Sequence, residues 1–479
     1  MEPSHVEAIF AKTQVWQSWL TVEGNLALAQ ADLGIIPQDA ADEISRVARD
    51  VHNIDLDELE AAIIRTKSPV LAIAKAVAKN CTGAAGSYVH WGATTQNVEM
   101  TGLQLLMRRA HGQILQQLAS CIEAVGTLAD ETPGAERVCA GRTLQRQGLP
   151  ITWGFRVAIW IEELVRHSER FLGASERVFA LTFGGALGAF HAVDGDQRIA
   201  SALGNRLGME PVLVPSRASH DSISEYFLLT ALLSSTVSRI TSEIYAMQSD
   251  EVAEVKEKQG SGVIGSSTMA HKVNPKLSPP LISLASRVRA ACVFPALEMA
   301  QPTRDGDQGT CLIVYEQVPY ALGLADQMLR DLAHLLQHVE PDGDAMARNL
   351  MLSEPGSGTV KNGGSLLCAE NAMMRLGAAT AARALEGGSG GRQWAHDIVH
   401  HAVDVAVRED KPIVDVLLAD SNVNGALDKD EIEAMLQPRN YLGACVSIAS
   451  SSVKRAGEIT KQLRDAAASL QMLDDRCRL

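Results

Sequence analysis

Aromatic side chains are scarce in this chain: Phe, Trp and Tyr supply 4% of 479 residues, against a hydrophobic share of 46%. The apolar content therefore falls to Ala, Leu, Val and Ile, a mixture that suits long packed helices better than a β-sandwich. Positive charge is short as well, and the formal net charge is -14. That balance argues against a nucleic-acid binder, which needs a basic face, and it gives no long-range pull on an acidic substrate. Any anion site must be local. A run of about 18 apolar residues is missing, and the N-terminus, MEPSHVEAIF, has no basic segment leading into an apolar one. We therefore expect neither export nor a membrane span, and a cytoplasmic location. The eight cysteines (Cys81, Cys121, Cys139, Cys292, Cys311, Cys368, Cys445, Cys477) form no close pair of the kind that binds zinc or shuttles a disulfide. They read as reduced, mostly buried small hydrophobes.

The length is too great for one compact core and points to several structural units. Short helices are expected over a first domain, 1–107, broken at Gly34–Pro37, Ser68-Pro69 and Gly83–Gly86. A central bundle is expected over 108–352. There Ile114, Leu118, Ile122 and Val125 share one helical face, and Asp221–Gln259 holds neither Gly nor Pro. As one unbroken helix that stretch would reach roughly 58 Å. Its apolar residues Leu228, Leu229, Leu232, Leu233, Val237, Ile240, Ile244 and Met247 form a face too broad for an ordinary surface helix. A bundle core shared between subunits explains this breadth; a large monomeric bundle is the plainer alternative. Gly- and Ser-rich patches at Pro355–Gly364 and Gly387–Gly391 mark loops or a hinge in a C-terminal helical domain, 353–479. No internal repeat is visible.

The most informative run is Gly260-Ser-Gly-Val-Ile-Gly-Ser-Ser-Thr-Met-Ala-His-Lys-Val-Asn-Pro275. Gly260, Gly262 and Gly265 leave the backbone free to fold over a ligand and exclude water. Asn274-Pro275 reads as an N-cap followed by a first-turn proline. Lys272 and the amides of a helix start can hold a carboxylate and stabilise the charge that develops when the neighbouring carbon loses a proton. Serine is a weak base, so Ser266 serves only where a closed cationic site favours its alkoxide. A surface loop before a capped helix is the bland alternative from composition alone.

This run resembles the GSSxMPxKxNP motif of the fumarase/aspartase superfamily, which includes argininosuccinate lyase, adenylosuccinate lyase and carboxymuconate cycloisomerase. The resemblance places the catalytic serine at Ser266 and the carboxylate-binding pair at Lys272 and Asn274, with Ser267 and Met269 beside the substrate; Ala270 stands where the family has proline. A second block, His90-Trp-Gly-Ala-Thr-Thr-Gln-Asn97 followed by Thr101, resembles HxGxTSxD…DT. It implies that His90, Thr94, Thr95 and Gln96 meet substrate carboxylates, while Asn97 and Met100 replace two usual acids. Alone it would read as a polar turn opening a helix. A third, Gly141-Arg-Thr-Leu-Gln-Arg-Gln-Gly-Leu-Pro-Ile-Thr-Trp-Gly154, resembles GRTHxQxAxPxTFG and adds Thr143 to the substrate contacts. Here Leu144 stands where many of these lyases keep a proton-donating histidine, and leucine donates no proton. Cycloisomerases of the superfamily also lack that histidine; a one-residue slip would instead bring Gln145 or Arg146 to the substrate.

Leu181–Gly188 is similar to a glycine-rich helix contact of that branch, and Pro438–Gly443 to its C-terminal landmark. The pattern is weakest over Thr303–Tyr315 and Ser353–Gly391. Two histidines are candidates for the missing acid: His220, with helix-capping Asp221 as the plainer account, and His271. Asp420–Glu431 fits the calcium loop of an EF-hand at every patterned position. Calcium hands pair, however, and the chain has no second loop, so no metal is expected.

The resemblance implies an all-α, three-domain fold whose long-helix bundle builds a homotetramer, with each active site drawn from three chains. It implies a cofactor-free lyase or cycloisomerase acting on a small polycarboxylate. Decarboxylation of a tricarboxylate such as trans-aconitate is the alternative within enzymes, and a non-catalytic homologue the alternative outside them.

Overall fold

The structure, a computed structural model, describes residues 5–130, 137–351 and 365–479; the Pro355–Gly364 patch lies outside them. It is predominantly helical. Helix α1 (Lys12–Asp32) opens an N-terminal unit of short helices. The unit closes around Trp16, Leu20, Ile44, Leu59 and Ile73, and it recruits Ile199, Leu203 and Leu207 from a helix far along the chain.

Six long helices make the bundle: α2 (Thr95–Asp130), α3 (Trp153–Val178), α4 (Asp221–Ala246), α5 (Ser278–Met299), α6 (Gln308–His338) and, after a smaller helical unit, α7 (Cys445–Cys477). Around the ring α4 packs on α5, α5 on α6, α6 on α2, α2 on α7, α7 on α3 and α3 back on α4. Ile114, Leu118, Ile122 and Val125 of α2 are all buried, as their spacing predicts. Each such side chain contributes about 1.5–3 kcal/mol. The closing helix α7 adds Ile459, Leu463 and Ala467 to the same core. Within the expected C-terminal domain, a separate core around Leu376, Val399, Leu417 and Ile432 is thus followed by a helix that returns to the bundle. Arg108 of α2 fastens it, bonding buried Asp474 at 2.7 Å and the carbonyls of Leu207 and Gly208 at 2.9 Å.

The structure refines four of these readings. The stretch 221–259 is not one helix: α4 stops at Ala246, about 39 Å long, and the chain turns into a short strand, β3 (Val255–Glu257), paired with β4 (Val339–Pro341). The cause is tertiary. Buried Glu254 binds Arg142 at 2.6 Å and Asn349 at 2.9 Å, which draws the backbone out of the helix, and Ala253 adopts φ +50°. Second, the Gly141–Gly154 block forms a hairpin of β1 (Val138–Thr143) and β2 (Arg146–Thr152). Third, Leu181–Gly188 is a turn that meets a helix through the Gly185 N–H, which Asn97 of α2 accepts at 3.0 Å; a Cβ at Gly188 would stand 2.2 Å from the Pro215 carbonyl. Fourth, α5 is long and apolar enough to cross a membrane by composition, although no such run was expected; here it packs along α4 and α6.

The calcium-like segment consists of two helix starts. Asp420 accepts the N–H of Asn422 at 2.8 Å, and Asp428 exchanges hydrogen bonds with Glu431 in a reciprocal capping box. Capping accounts for the acidic spacing.

Candidate active site

Glu257, at the end of β3, accepts the N–H groups of Lys276 (2.7 Å), Leu277 (2.8 Å) and Ser278 (3.0 Å) and the Ser278 hydroxyl (2.6 Å). The Leu277 and Ser278 amides are unpaired donors at the start of α5, and Lys276 immediately precedes them. One carboxylate therefore caps the helix and ties together the two ends of the serine loop. Burial pushes its pKa up, but the bonds from Ser278, Leu277 and Lys276 outweigh that and hold it below the usual carboxylate range.

Asn274-Pro275 does not begin the helix as expected; α5 starts at Ser278, with Pro279 and Pro280 in its first turn. Asn274 closes the loop instead. Its side-chain amide donates to the Gly265 carbonyl at 2.9 Å, while Gln259 donates to its own carbonyl at 2.7 Å. Inside this clasp the Ser266 Oγ accepts the Met269 N–H at 3.1 Å and the Thr268 N–H at 3.4 Å. Amides aimed at an oxygen favour its ionised form. Lys272 is exposed and has no carboxylate partner among the described residues. Ser267, Met269 and His271 are exposed beside it.

A second cluster gathers at the start of α2. His90, with φ +62°, is held by Glu23 at 2.6 Å. Burial pulls its pKa down, but the hydrogen bond and charge of Glu23 outweigh it and leave the net shift upward. Thr94 and Thr95 are half-buried at the helix start. Asn97, in place of the usual acid, accepts the Gly185 N–H at 3.0 Å and so braces the glycine turn. Gln96 is wholly engaged: its amide donates to the Arg217 carbonyl at 3.0 Å, and its oxygen accepts from the Arg217 guanidinium at 2.9 Å. Gln96, Arg217, His220, Thr182 and Ser219 line one narrow cleft. His220 is 4% exposed. Burial lowers its pKa against the opposing charges of Asp221 and Asp307.

Thr143 and Leu144 lie at the hairpin tip, where Leu144 and Gln145 both have positive φ and Leu144 is 97% exposed. Among the described residues no hydrogen bond or ion pair joins the Ser266 loop, the Gln96 cleft and this tip to one another. Sequence reasoning missed two residues near the cleft. Arg217 carries no local motif, since its partner Gln96 is 121 positions away. Glu99 sits between the two replaced acids; burial raises its pKa, partly offset by the Tyr315 hydroxyl at 3.2 Å.

Residues 4–290 match the lyase family model, and residues 365–451 match the adenylosuccinate lyase C-terminus. The chain belongs to that lyase family, in the adenylosuccinate-lyase-like branch of the fumarase/aspartase superfamily, and it is a lyase-type enzyme. It is 32% identical over 453 residues to trans-aconitate decarboxylase 1 of Mycosarcoma maydis, covering 91% of this chain and 86% of the relative. Among solved structures, 3-carboxy-cis,cis-muconate lactonizing enzyme from Pseudomonas putida superposes with a TM-score of 0.78 at 26% identity, covering 95% of this chain and 97% of that one. A fumarate lyase from Mesorhizobium sp. BNC1 gives 0.79 at 26% identity, with coverage of 94% and 97%.

Proposed function

We propose that this enzyme acts, without a cofactor, on a small di- or tricarboxylate of the carboxymuconate kind. Ser266 takes or returns the proton on the carbon beside a carboxylate, and Lys272 stabilises the enolate-like carboxylate that results. Thr94, Thr95, Thr143, Ser267, Met269 and Asn274 frame the remaining oxygens. His90 is held by Glu23 at the rim of the second cluster, and His220, in the wall of the Gln96 cleft, is the candidate acid. The observation that carries this reading is the Ser266 Oγ facing two backbone amides in a glycine clasp, near in sequence to Lys272, which has no carboxylate partner among the described residues. The three clusters stand apart within one chain, and the bundle exposes Leu228, Leu232, Phe294 and Leu297. Both features support a homotetramer in which the clusters of different subunits meet.

Decarboxylation is the second reading. Leu144 brings no proton to the hairpin tip, and loss of carbon dioxide from a tricarboxylate generates the same carbanion, which Ser266 then protonates. The relative named trans-aconitate decarboxylase favours it. A panel of fumarate adducts, carboxymuconate and aconitates, followed by ultraviolet change and gas release, tests both. Carbon dioxide evolution selects the second reading, an absorbance change without gas the first, and silence across the panel refutes both.

A further inference from the structure

Several buried or half-buried arginines carry carboxylates: Arg108 with Asp474 at 2.7 Å, Arg142 with Glu254 at 2.6 Å and Arg156 with Glu243 at 3.2 Å; half-buried Arg289 on α5 instead donates to the Ser234 carbonyl at 3.1 Å and the Ser286 hydroxyl at 2.9 Å. Arg217 is of the second kind. Its guanidinium donates to two neutral oxygens, the Ala186 carbonyl at 2.7 Å and Gln96 Oε1 at 2.9 Å, and no ion pair is formed by it among the described residues. A half-buried cation held by neutral groups is incompletely compensated, and a planar fork suits a carboxylate.

The surroundings keep it so. Asp305 is the nearby acid, but its Oδ1 accepts the Arg217 backbone N–H at 2.5 Å and the Ser216 hydroxyl at 3.1 Å. Gly306 follows at φ +81°, and a Cβ there would stand 3.2 Å from Arg217 Nη2, so glycine leaves the outer edge of the fork room. Asp307 then caps α6 through the Thr310 N–H at 2.9 Å, which fixes the turn to a bundle helix. Thr182, Ser219 and Ser222 add hydroxyls to the walls of the same cleft. This turn lies in the Thr303–Tyr315 stretch, one of the two where the sequence resembles the superfamily pattern least.

Resting on the polycarboxylate reading above, we propose that Arg217 anchors a substrate carboxylate remote from the reacting carbon, with Gln96 and the Ala186 carbonyl holding its guanidinium, Asp305 holding its backbone and Gly306 leaving its outer edge open. Lys272 serves the carboxylate beside the reacting carbon and Arg217 a second one, so the site selects substrates with at least two carboxylates set apart. Arg217 is a specificity residue; Asp305 is a positioning residue that acts through it.

Calorimetric titration of the full-length protein with propane-1,2,3-tricarboxylate, a saturated and unreactive tricarboxylate, tests this directly. Arg217→Gln weakens that binding about 10- to 100-fold, and on any panel substrate it raises KM more than it lowers kcat. Asp305→Asn gives a smaller loss in the same direction. Should Arg217→Gln fail to fold by circular dichroism, Arg217→Lys carries the test, because an ammonium loses the two-pronged contact while keeping the charge. Undiminished tricarboxylate affinity in whichever of the two folds overturns the anchor. Turnover with unchanged KM overturns it too, but leaves the lyase reading standing. Arg217-dependent binding without turnover of any panel member does the reverse, and a wild type that binds no polycarboxylate overturns both.

Discussion

Gly265 lies directly beneath the backbone of Lys272: a Cβ at residue 265 would stand 2.8 Å from the Lys272 carbonyl oxygen and 3.0 Å from Val273 Cα. The lysine is thus placed against the serine loop by backbone contact. Gly265→Ala should push the two apart while leaving the bundle untouched. We expect turnover to fall about 100-fold, as for a 1 Å misplacement, with an unchanged thermal midpoint. Full activity in that variant would remove the clasp from the mechanism.

Ser266→Ala should lower kcat by about 10²- to 10⁴-fold while the affinity for propane-1,2,3-tricarboxylate stays near that of the wild type. A normal rate would end the proton-transfer role of the hydroxyl.

Glu254 is fully buried and binds Arg142 through both of its oxygens, at 2.6 and 2.8 Å. Glu254→Ala leaves the Arg142 guanidinium half-buried and unpaired, at a cost of about 3–5 kcal/mol. Urea unfolding should show this as a lower midpoint. The double variant with Arg142→Ala should lose less than the sum of the two single losses, because the two side chains act as one unit. Simple additivity would show the pair to be incidental.

The His90–Glu23 contact predicts a pH dependence of definite sign. The folded pKa of His90 is raised above the ordinary histidine value of about 6.5. Its contribution to stability is therefore complete below that value and lost as pH rises through the folded pKa. Thermal melts of wild type and His90→Gln should differ most in mildly acidic buffer and converge as the pH becomes alkaline. A gap that widens with pH would contradict the assignment.

Phe294 is 68% exposed on the outer face of α5, beside exposed Leu297 and Val293. Phe294→Asp should lower the mass seen by light scattering and abolish activity together. A fully active monomer would refute the shared-site arrangement.

How far the sequence could be read depended on distance along the chain. The serine loop was legible because its parts are local: glycines, Ser266, Lys272 and Asn274 fall within one short segment. The buried face of α2 was legible for the same reason, since helical spacing alone puts Ile114, Leu118, Ile122 and Val125 together. The end of α4 was not. Nothing between Asp221 and Gln259 breaks a helix, and Glu254 leaves it only because Arg142 and Asn349 wait elsewhere in the fold. Asn274 was assigned to a cap on sound local grounds, yet Glu257 reaches the orphan amides first and frees Asn274 to bind Gly265.

Residue types and short-range periodicity thus determined the helical class of this enzyme and its bundle. Tertiary structure decided where helices stop, which polar groups are used up by neighbours and which cation faces the Gln96 cleft with neutral partners. The reason is physical: a hydrophobic period acts between adjacent turns, whereas the charge balance of Arg217 depends on Gln96 and Asp305, which only the folded chain brings to it.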